Sequence, residues 1–207
     1  SSIDRMGRYA YCNQPAITKW NLARFAECII PLIDRDNGKA IKIATNSINE
    51  FEKKYENKWM SMMRNKLGLF SLDEKDRSLI LDLLTWMHEN KADYTNTFCH
   101  LMNVKIKEDN LYKDKYFIDW KNRWQQRLLK NNNSIKNSIE LMRKNNPLVI
   151  PRNHKVEEVL GAAEKEDLKP IKKFLNILTQ PYSSNENLSE YQITSSGSGK
   201  YETFCGT

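Results

Sequence analysis

Apolar side chains recur at steps of three and four residues along most of this chain, and this spacing constrains the fold more than any other feature. The clearest runs cover about 39–67, which includes Trp59 and Met62, and 112–128, where Trp120 and Trp124 take part. An α-helix places residues three and four apart on one face, so each run predicts a helix with a buried face. Only 7 Gly and 6 Pro are present, which leaves few turn residues for many short strands. The sequence therefore predicts an all-α protein.

Local signals predict several helix boundaries. A first helix starts near Ile17, and Pro31 is expected to kink or end it. Gly68 is predicted as the C-terminal cap of the 39–67 run, and "SLDE" at 71–74 has the form of a capping box. A shorter helix is expected from Asp93. Further helix N-caps are predicted at Ser134, Asn153 and Asp167.

Two apolar stripes indicate which helix faces are buried. The first is aromatic and consists of Tyr112, Tyr116, Trp120, Trp124 and Leu128. The second lies in the last long helix and consists of Leu168, Ile171, Leu175 and Leu178. Both have the spacing of a helix face that packs on a core.

The composition along the chain predicts three parts. Residues 1–16 lack a helical period and form an irregular lead-in, residues 17–181 form a helical domain, and residues 182–207 form a polar, flexible tail. The chain contains no run of 18 apolar residues and no pair of cysteines at C-x-x-C spacing. We therefore expect a cytoplasmic protein with no membrane partner.

The chain is basic, with 33 Lys and Arg against 26 Asp and Glu. Such a balance is compatible with nucleic-acid binding, and the aromatic stripe with Lys113, Lys115, Lys121 and Arg123 offers a stacking surface. The basic residues are interspersed with acidic ones, however, which is typical of solvated helix faces. The spacing of the aromatic residues favours a core face over a nucleic-acid surface.

No catalytic motif stands out from the residues alone. "SGSGK" (196–200) lacks the spacing, the preceding strand and the following helix of a phosphate loop. His88, Cys99, His100 and His154 carry metal-binding atoms, but Cys99 and His100 are adjacent and point about 100° apart on a helix. We interpret Cys99 as core and His100 as a helix-surface residue.

Several stretches together resemble the selenoprotein O-like family. "GRYAYCNQPAITKWNLARFAE" (7–27) resembles the family's G-R-Y, Q-P and W-N-L signature, and 146–182 resembles its segment around R-N-H. The ending "YETFCGT" resembles that of many bacterial members, and "DYTNTF" (93–98) is a weaker match. The family often has Arg where Cys99 stands. The order and spacing of these motifs make the resemblance specific.

The resemblance implies a protein-kinase-like fold that binds ATP in a flipped orientation with Mg²⁺ or Mn²⁺. Family members transfer AMP to Ser, Thr or Tyr hydroxyls of target proteins. The family's nucleotide-binding, catalytic and metal-binding residues all precede the G-R-Y signature, so none is carried over onto this chain. The resemblance therefore implies a C-terminal part of such an enzyme, inactive alone and without bound ATP or metal. Its partners would be the missing N-terminal kinase-like region and the protein substrates.

Residues that match the family motifs are the candidate site residues. Those of the signature are Gly7, Arg8, Tyr9, Gln14, Pro15, Trp20 and Asn21. They are expected either to position groups beside the nucleotide site or to hold the first helix in place. Arg152, Asn153 and His154 match R-N-H and are expected to be structural, as a helix cap with an Arg partner.

Cys205 stands third from the end, where relatives carry selenocysteine or cysteine. The resemblance implies a redox role, since family members can join this residue to a cysteine just before the G-R-Y signature. That position falls at or before Ser1, and Cys12 is a possible substitute partner.

Two other functions remain open from the sequence. The chain can be a non-catalytic helical module that binds a partner through residues 1–15 and the tail, or a Lys-rich nucleic-acid-binding domain. If it is instead part of a longer enzyme, we expect an apolar face that the remainder of the enzyme covers.

Overall fold

The computed structural model describes residues 4, 6–104, 110–131, 133–183 and 188–194, and over these residues it contains helices and no strand. The prediction of an all-α protein is confirmed. The α-helices are α1 (Gln14–Ile33), α2 (Asn37–Asn49), α3 (Phe51–Lys66), α4 (Asp76–Glu89), α5 (Tyr94–Leu101), α6 (Lys115–Leu129), α7 (Ile135–Asn145), α8 (Asn153–Ala163), α9 (Lys169–Leu178) and α10 (Ser189–Gln192). Two short 3₁₀-helices cover Tyr11–Asn13 and Leu111–Lys113.

Helix ends follow the sequence where a local side chain caps them. Asp93 accepts a hydrogen bond from the Asn96 N–H at the start of α5, and Ser134 accepts one from the Asn137 N–H at the start of α7. Gly68 has a φ of 72°, which is the left-handed region that glycine adopts without strain. The Leu69 N–H donates to the Arg64 carbonyl at 2.9 Å, so α3 ends in a Schellman motif.

Other boundaries differ from the prediction. The 39–67 run is two helices, because α2 ends at Asn49 and α3 begins at Phe51. Pro31 lies inside α1, which continues to Ile33. The capping box at 71–74 is wrong, since α4 begins at Asp76. The Ser71 hydroxyl accepts a hydrogen bond from the distant Arg127 at 3.4 Å, and the Asp73 carboxylate accepts one from the Lys75 N–H at 2.9 Å.

The chain divides into two compact units, one running to Met60 and one beginning at Ser61. The boundary lies inside the span 17–181 that the sequence assigns to one helical domain. Among the described residues of the first unit, only Ile17, Ala40 and Ala44 are buried. This unit therefore has a small core of its own.

Aromatic side chains form the core of the second unit. Trp86 packs on Tyr112 and Phe117, and Trp120 stacks on Trp124. The indole N–H of Trp120 donates to the Leu79 carbonyl at 2.7 Å, and that of Trp124 donates to the Leu67 carbonyl at 2.9 Å. These bonds satisfy the polar atoms that the rings carry into the core.

The predicted aromatic stripe is correct except at Tyr116, which is 78% exposed, while Phe117 is buried in its place. The register shifts because Tyr112 belongs to a 3₁₀-helix and α6 begins only at Lys115, after Asp114 caps it.

A smaller apolar cluster joins α8, α9 and α10. It contains Val149, Val159, Phe174 and Tyr191, and the rings of Phe174 and Tyr191 stack at 5.4 Å. The predicted stripe on α9 is wrong at Leu168 and Leu175, which are exposed, because Phe174 is the side chain that enters the cluster. Leu188–Thr194 falls in the segment predicted as a flexible tail, yet Tyr191 and Gln192 are buried there.

Among the described helices, none combines the length and the apolar character that crossing a membrane requires.

Candidate functional site

The signature segment begins with a turn that Gly7 and Asp4 define. Gly7 has a φ of 63°, and the Ala10 N–H donates to its carbonyl at 3.0 Å. The Asp4 carboxylate accepts a hydrogen bond from the Tyr9 N–H at 2.7 Å. That bond lowers the pKa of Asp4 below its usual value. Within the segment predicted as an irregular lead-in, these hydrogen bonds form a turn.

Side chains at the start of α1 fasten the helix to this turn. The amide of Asn13 donates to the Gly7 carbonyl at 2.8 Å, and the amide of Gln14 donates to the Tyr9 carbonyl at 2.6 Å. Pro15 lies in the first turn of α1, where its missing N–H costs nothing. Gly7, Tyr9 and Gln14 of the signature are thus brought together by hydrogen bonds.

The other signature residues present exposed side chains. The guanidinium of Arg8 lies 5.2 Å from the centre of the Tyr9 ring, and that of Arg24 lies 5.6 Å from the Trp20 ring. Arg8, Trp20 and Asn21 are all exposed. They offer a cation, an indole and an amide on the surface of the first unit.

Arg152 of the R-N-H motif forms an ion pair with Asp93, the first residue of "DYTNTF". Its two terminal nitrogens donate to the two Asp93 oxygens at 2.7 and 2.9 Å. Burial alone raises the pKa of Asp93, but hydrogen bonds from Arg152 and from the Asn96 N–H outweigh it and hold that pKa below its usual value. Two segments that carry the resemblance therefore meet in space.

The rest of the R-N-H motif differs from the expected cap. Arg152 occupies the N-cap position of α8 without a side-chain cap bond, because a guanidinium only donates hydrogen bonds and cannot accept one from a helix N–H. It donates to Asp93 instead. Asn153 is the first residue of the helix and is exposed, and His154 is half-buried.

Lys66 is a half-buried cation that the sequence does not signal. Its ammonium donates to the Asn145 carbonyl at 3.0 Å and to the Asn146 side chain at 3.2 Å. It also lies 5.1 Å from the centre of the Phe98 ring. Desolvation lowers the pKa of Lys66. This residue joins the end of α3 to the end of α7, and nothing in its spacing distinguishes it from the surface lysines.

The cysteines fall into two environments. Cys99 is buried, as expected, and desolvation followed by the nearby Asp93 charge raises the pKa of its thiol to about 11, which excludes an activated nucleophile at neutral pH. Cys12 and Cys28 are exposed free thiols. Cys205 lies outside the described residues, and so does the "SGSGK" stretch.

The candidate metal ligands do not form a cluster. Within the part of the chain that the structure describes, no three His, Cys, Asp or Glu side chains lie close enough to hold an ion. His88 is exposed on α4, and His100 stacks on Tyr112 at 4.0 Å. The nucleic-acid interpretation of the aromatic stripe is not supported either, because Trp120 and Trp124 are buried.

Comparison with known proteins agrees with the motifs. Residues 1–179 match the family model "Protein adenylyltransferase SelO". The chain is 52% identical over 208 residues to the protein nucleotidyltransferase YdiU of Pelagibacter ubique, and 46% identical over 209 residues to that of Alcanivorax borkumensis. Each alignment covers 100% of this chain and 43% of the relative, so the chain spans less than half the length of these relatives. The chain belongs to the SelO family of protein adenylyltransferases.

Proposed function

We propose that this chain is the C-terminal helical region of a protein adenylyltransferase with a protein-kinase-like fold. The parent enzyme transfers AMP from ATP to Ser, Thr or Tyr hydroxyls of target proteins. The observation that carries this proposal is the family match over residues 1–179. It is joined by 52% sequence identity, along the whole chain, to a protein nucleotidyltransferase. The partners of the chain are the remaining region of the enzyme and the protein substrates.

In this reaction the hydroxyl oxygen of the target attacks the α-phosphorus of ATP. A new P–O bond forms, the bond from the α-phosphorus to the bridging oxygen breaks, pyrophosphate leaves, and the hydroxyl proton passes to a base. Mg²⁺ or Mn²⁺ would offset the phosphate charge. We assign ATP, metal and base to the region outside this chain, because the family's nucleotide-binding, catalytic and metal-binding residues precede the G-R-Y signature.

Within this scheme the turn at Gly7–Gln14 positions the signature residues beside the nucleotide. This role is supported by the hydrogen bonds that the side chains of Asn13 and Gln14 donate to the turn, because these bonds fix the backbone that carries Arg8. Arg8 is exposed and available to a phosphate or to a neighbouring carboxylate. We also propose that Cys205 acts as a redox thiol in the parent, with Cys12 as an accessible alternative partner.

Isotope placement in ATP tests the reaction. The full-length parent with Mg²⁺ or Mn²⁺ should label protein from ATP carrying the label in the α-phosphate and should give no label from the γ-phosphate. The 207-residue chain alone should give neither. Label from the γ-phosphate would make the parent a kinase, and an absence of label from both positions with either metal would refute the proposal.

A further inference from the structure

Helix α1 carries apolar residues on two faces. One face meets α2 along a groove of about 680 Å³, where Ala23, Ala26 and Ile30 lie across from Ile41 and Ala44. Helices α1 and α2 pack on each other here, but the groove is partly open, since Ala23, Ala26 and Ile30 are half-buried and Ile41 is 54% exposed.

The second apolar face lies on another side of α1. It consists of Leu22, Phe25, Ile29 and Leu32, which we call the outer stripe. At 100° per residue these positions span about 80° around the helix axis, and their centre lies about 110° from that of Ala23, Ala26 and Ile30. Leu22, Phe25 and Leu32 are 40%, 61% and 84% exposed, and Ile29 is half-buried.

The outer stripe has the geometry of a helix-packing surface. Its residues follow one another at steps of three, four and three, which is the a/d spacing by which one helix packs against another. A helix that is apolar on both sides is typical of a protein interior. Single exposed apolar residues are common, whereas a continuous apolar row marks an interface.

The residues beside the stripe indicate what kind of surface it meets. At 100° per residue Thr18, Asn21 and Cys28 lie in line with the stripe or next to it, and none of them is charged. Arg24 and Glu27 pair with each other at 2.6 Å on another side of α1, where Glu27 lines the groove with α2, so recognition of the stripe falls to apolar contact. A row of apolar side chains at helix-packing spacing, with no charge beside it to pair, fits the apolar face of another helix better than a charged partner.

We propose that the outer stripe of α1 is the docking surface for an apolar helix from the part of the parent protein that lies outside this chain. The chain matches only 43% of the length of its relatives, so more than half of the parent is available to supply this helix. The inference rests on the proposed function only in assuming that the parent is a SelO-family enzyme. It identifies the surface by which this region joins the remainder.

Photo-cross-linking in the full-length parent tests the contact. A benzophenone amino acid replaces Leu32, and the same amino acid at Tyr116 of α6 is the control, because that side chain is also strongly exposed. We expect the Leu32 position to cross-link within the same polypeptide to residues outside this chain, and the Tyr116 position to give no such product. A product of twice the mass would show a second copy as the occupant and overturn the proposal. Cross-links confined to this chain, or none, would also overturn it.

Stability of the parent gives a second test that does not depend on catalysis. Leu32→Glu should lower the thermal unfolding midpoint by several degrees, because it places a charge in a buried helix contact. Tyr116→Glu should shift the midpoint by less than about 1 °C, as exposed substitutions do. Equal midpoints for the two variants would contradict the docking. If Leu32→Glu destabilises a parent that transfers no AMP, the docking stands and only the proposed reaction fails.

Discussion

Asp93 and Arg152 show how one residue pair joins segments that are distant in sequence. The pair is largely buried, with side chains that are 18% and 10% exposed. Asp93 also caps α5, so its carboxylate serves a helix end and an ion pair at once. Removing one member of such a pair leaves the other short of partners in a partly desolvated place, which costs more than losing a surface ion pair.

Asp93→Asn should therefore lower the free energy of unfolding by about 1–3 kcal/mol at pH 7. Asp93 has a pKa below its usual value in the folded state, so its stabilising effect is present above the unfolded pKa of about 4 and is lost as pH falls through the folded pKa. Urea denaturation from pH 7 to pH 3 measures both effects. The difference between wild type and Asp93→Asn should be constant near neutrality and shrink below about pH 4.

Asp82→Asn is the matched control, since Asp82 pairs with Arg123 on the surface at 2.8 Å and both side chains are about half exposed. It should change the free energy of unfolding by less than about 1 kcal/mol. A difference for Asp93→Asn that does not vary with pH would contradict the ion-pair account.

At the scale of single elements, the end of α3 depends on Gly68. A Cβ on Gly68 would lie 2.8 Å from the Ser138 carbonyl oxygen, and its φ of 72° disfavours any side chain. Gly68→Ala should therefore lower the free energy of unfolding by about 2–4 kcal/mol.

Gly161→Ala is the control, because nothing lies within 4 Å of a Cβ there and the residue is inside α8. It should stabilise the protein by a few tenths to about 1 kcal/mol in the same urea titration. If Gly68→Ala and Gly161→Ala changed the free energy of unfolding by the same amount, this account of the α3 cap would be contradicted.

Helix ends were predictable from the sequence where one local side chain or glycine decides them, as at Asp93, Ser134 and Gly68. They were not predictable where a distant residue intervenes, as at Ser71, whose hydroxyl accepts a hydrogen bond from Arg127. The buried face of α6 was predicted incorrectly at one position for a similar reason. The aromatic stripe fails at Tyr116 because a 3₁₀-helix precedes α6 and shifts its register.

The sequence identified which residues belong to the candidate site, but not how they contact one another. The motifs identify Gly7, Tyr9 and Gln14 as a group, but not the turn that joins them, because that turn depends on side-chain bonds to backbone carbonyls. The pairing of Arg152 with Asp93 links two matched motifs that the sequence treats separately. Lys66 has no sequence signal, since burial and aromatic neighbours appear only when the chain is folded.

At the scale of the whole molecule, the two units differ in how completely they bury their apolar residues. The second unit has an aromatic core, whereas the first buries only three of its described residues and exposes the outer stripe of α1. An apolar face was expected for part of a longer enzyme, and we propose that Leu22, Phe25, Ile29 and Leu32 form it. The chain covers 43% of the length of its relatives, which agrees with that proposal.

Reconstitution from two pieces tests the central claim that this chain is a required part of a protein adenylyltransferase. This chain and the remaining region of the parent are co-expressed, and protein labelling is measured with ATP that carries its label in the α-phosphate. We predict that the two pieces together transfer AMP, that neither piece does so alone, and that Leu32→Glu abolishes the reconstitution. Transfer by the remaining region alone at the rate of the intact parent would contradict the account.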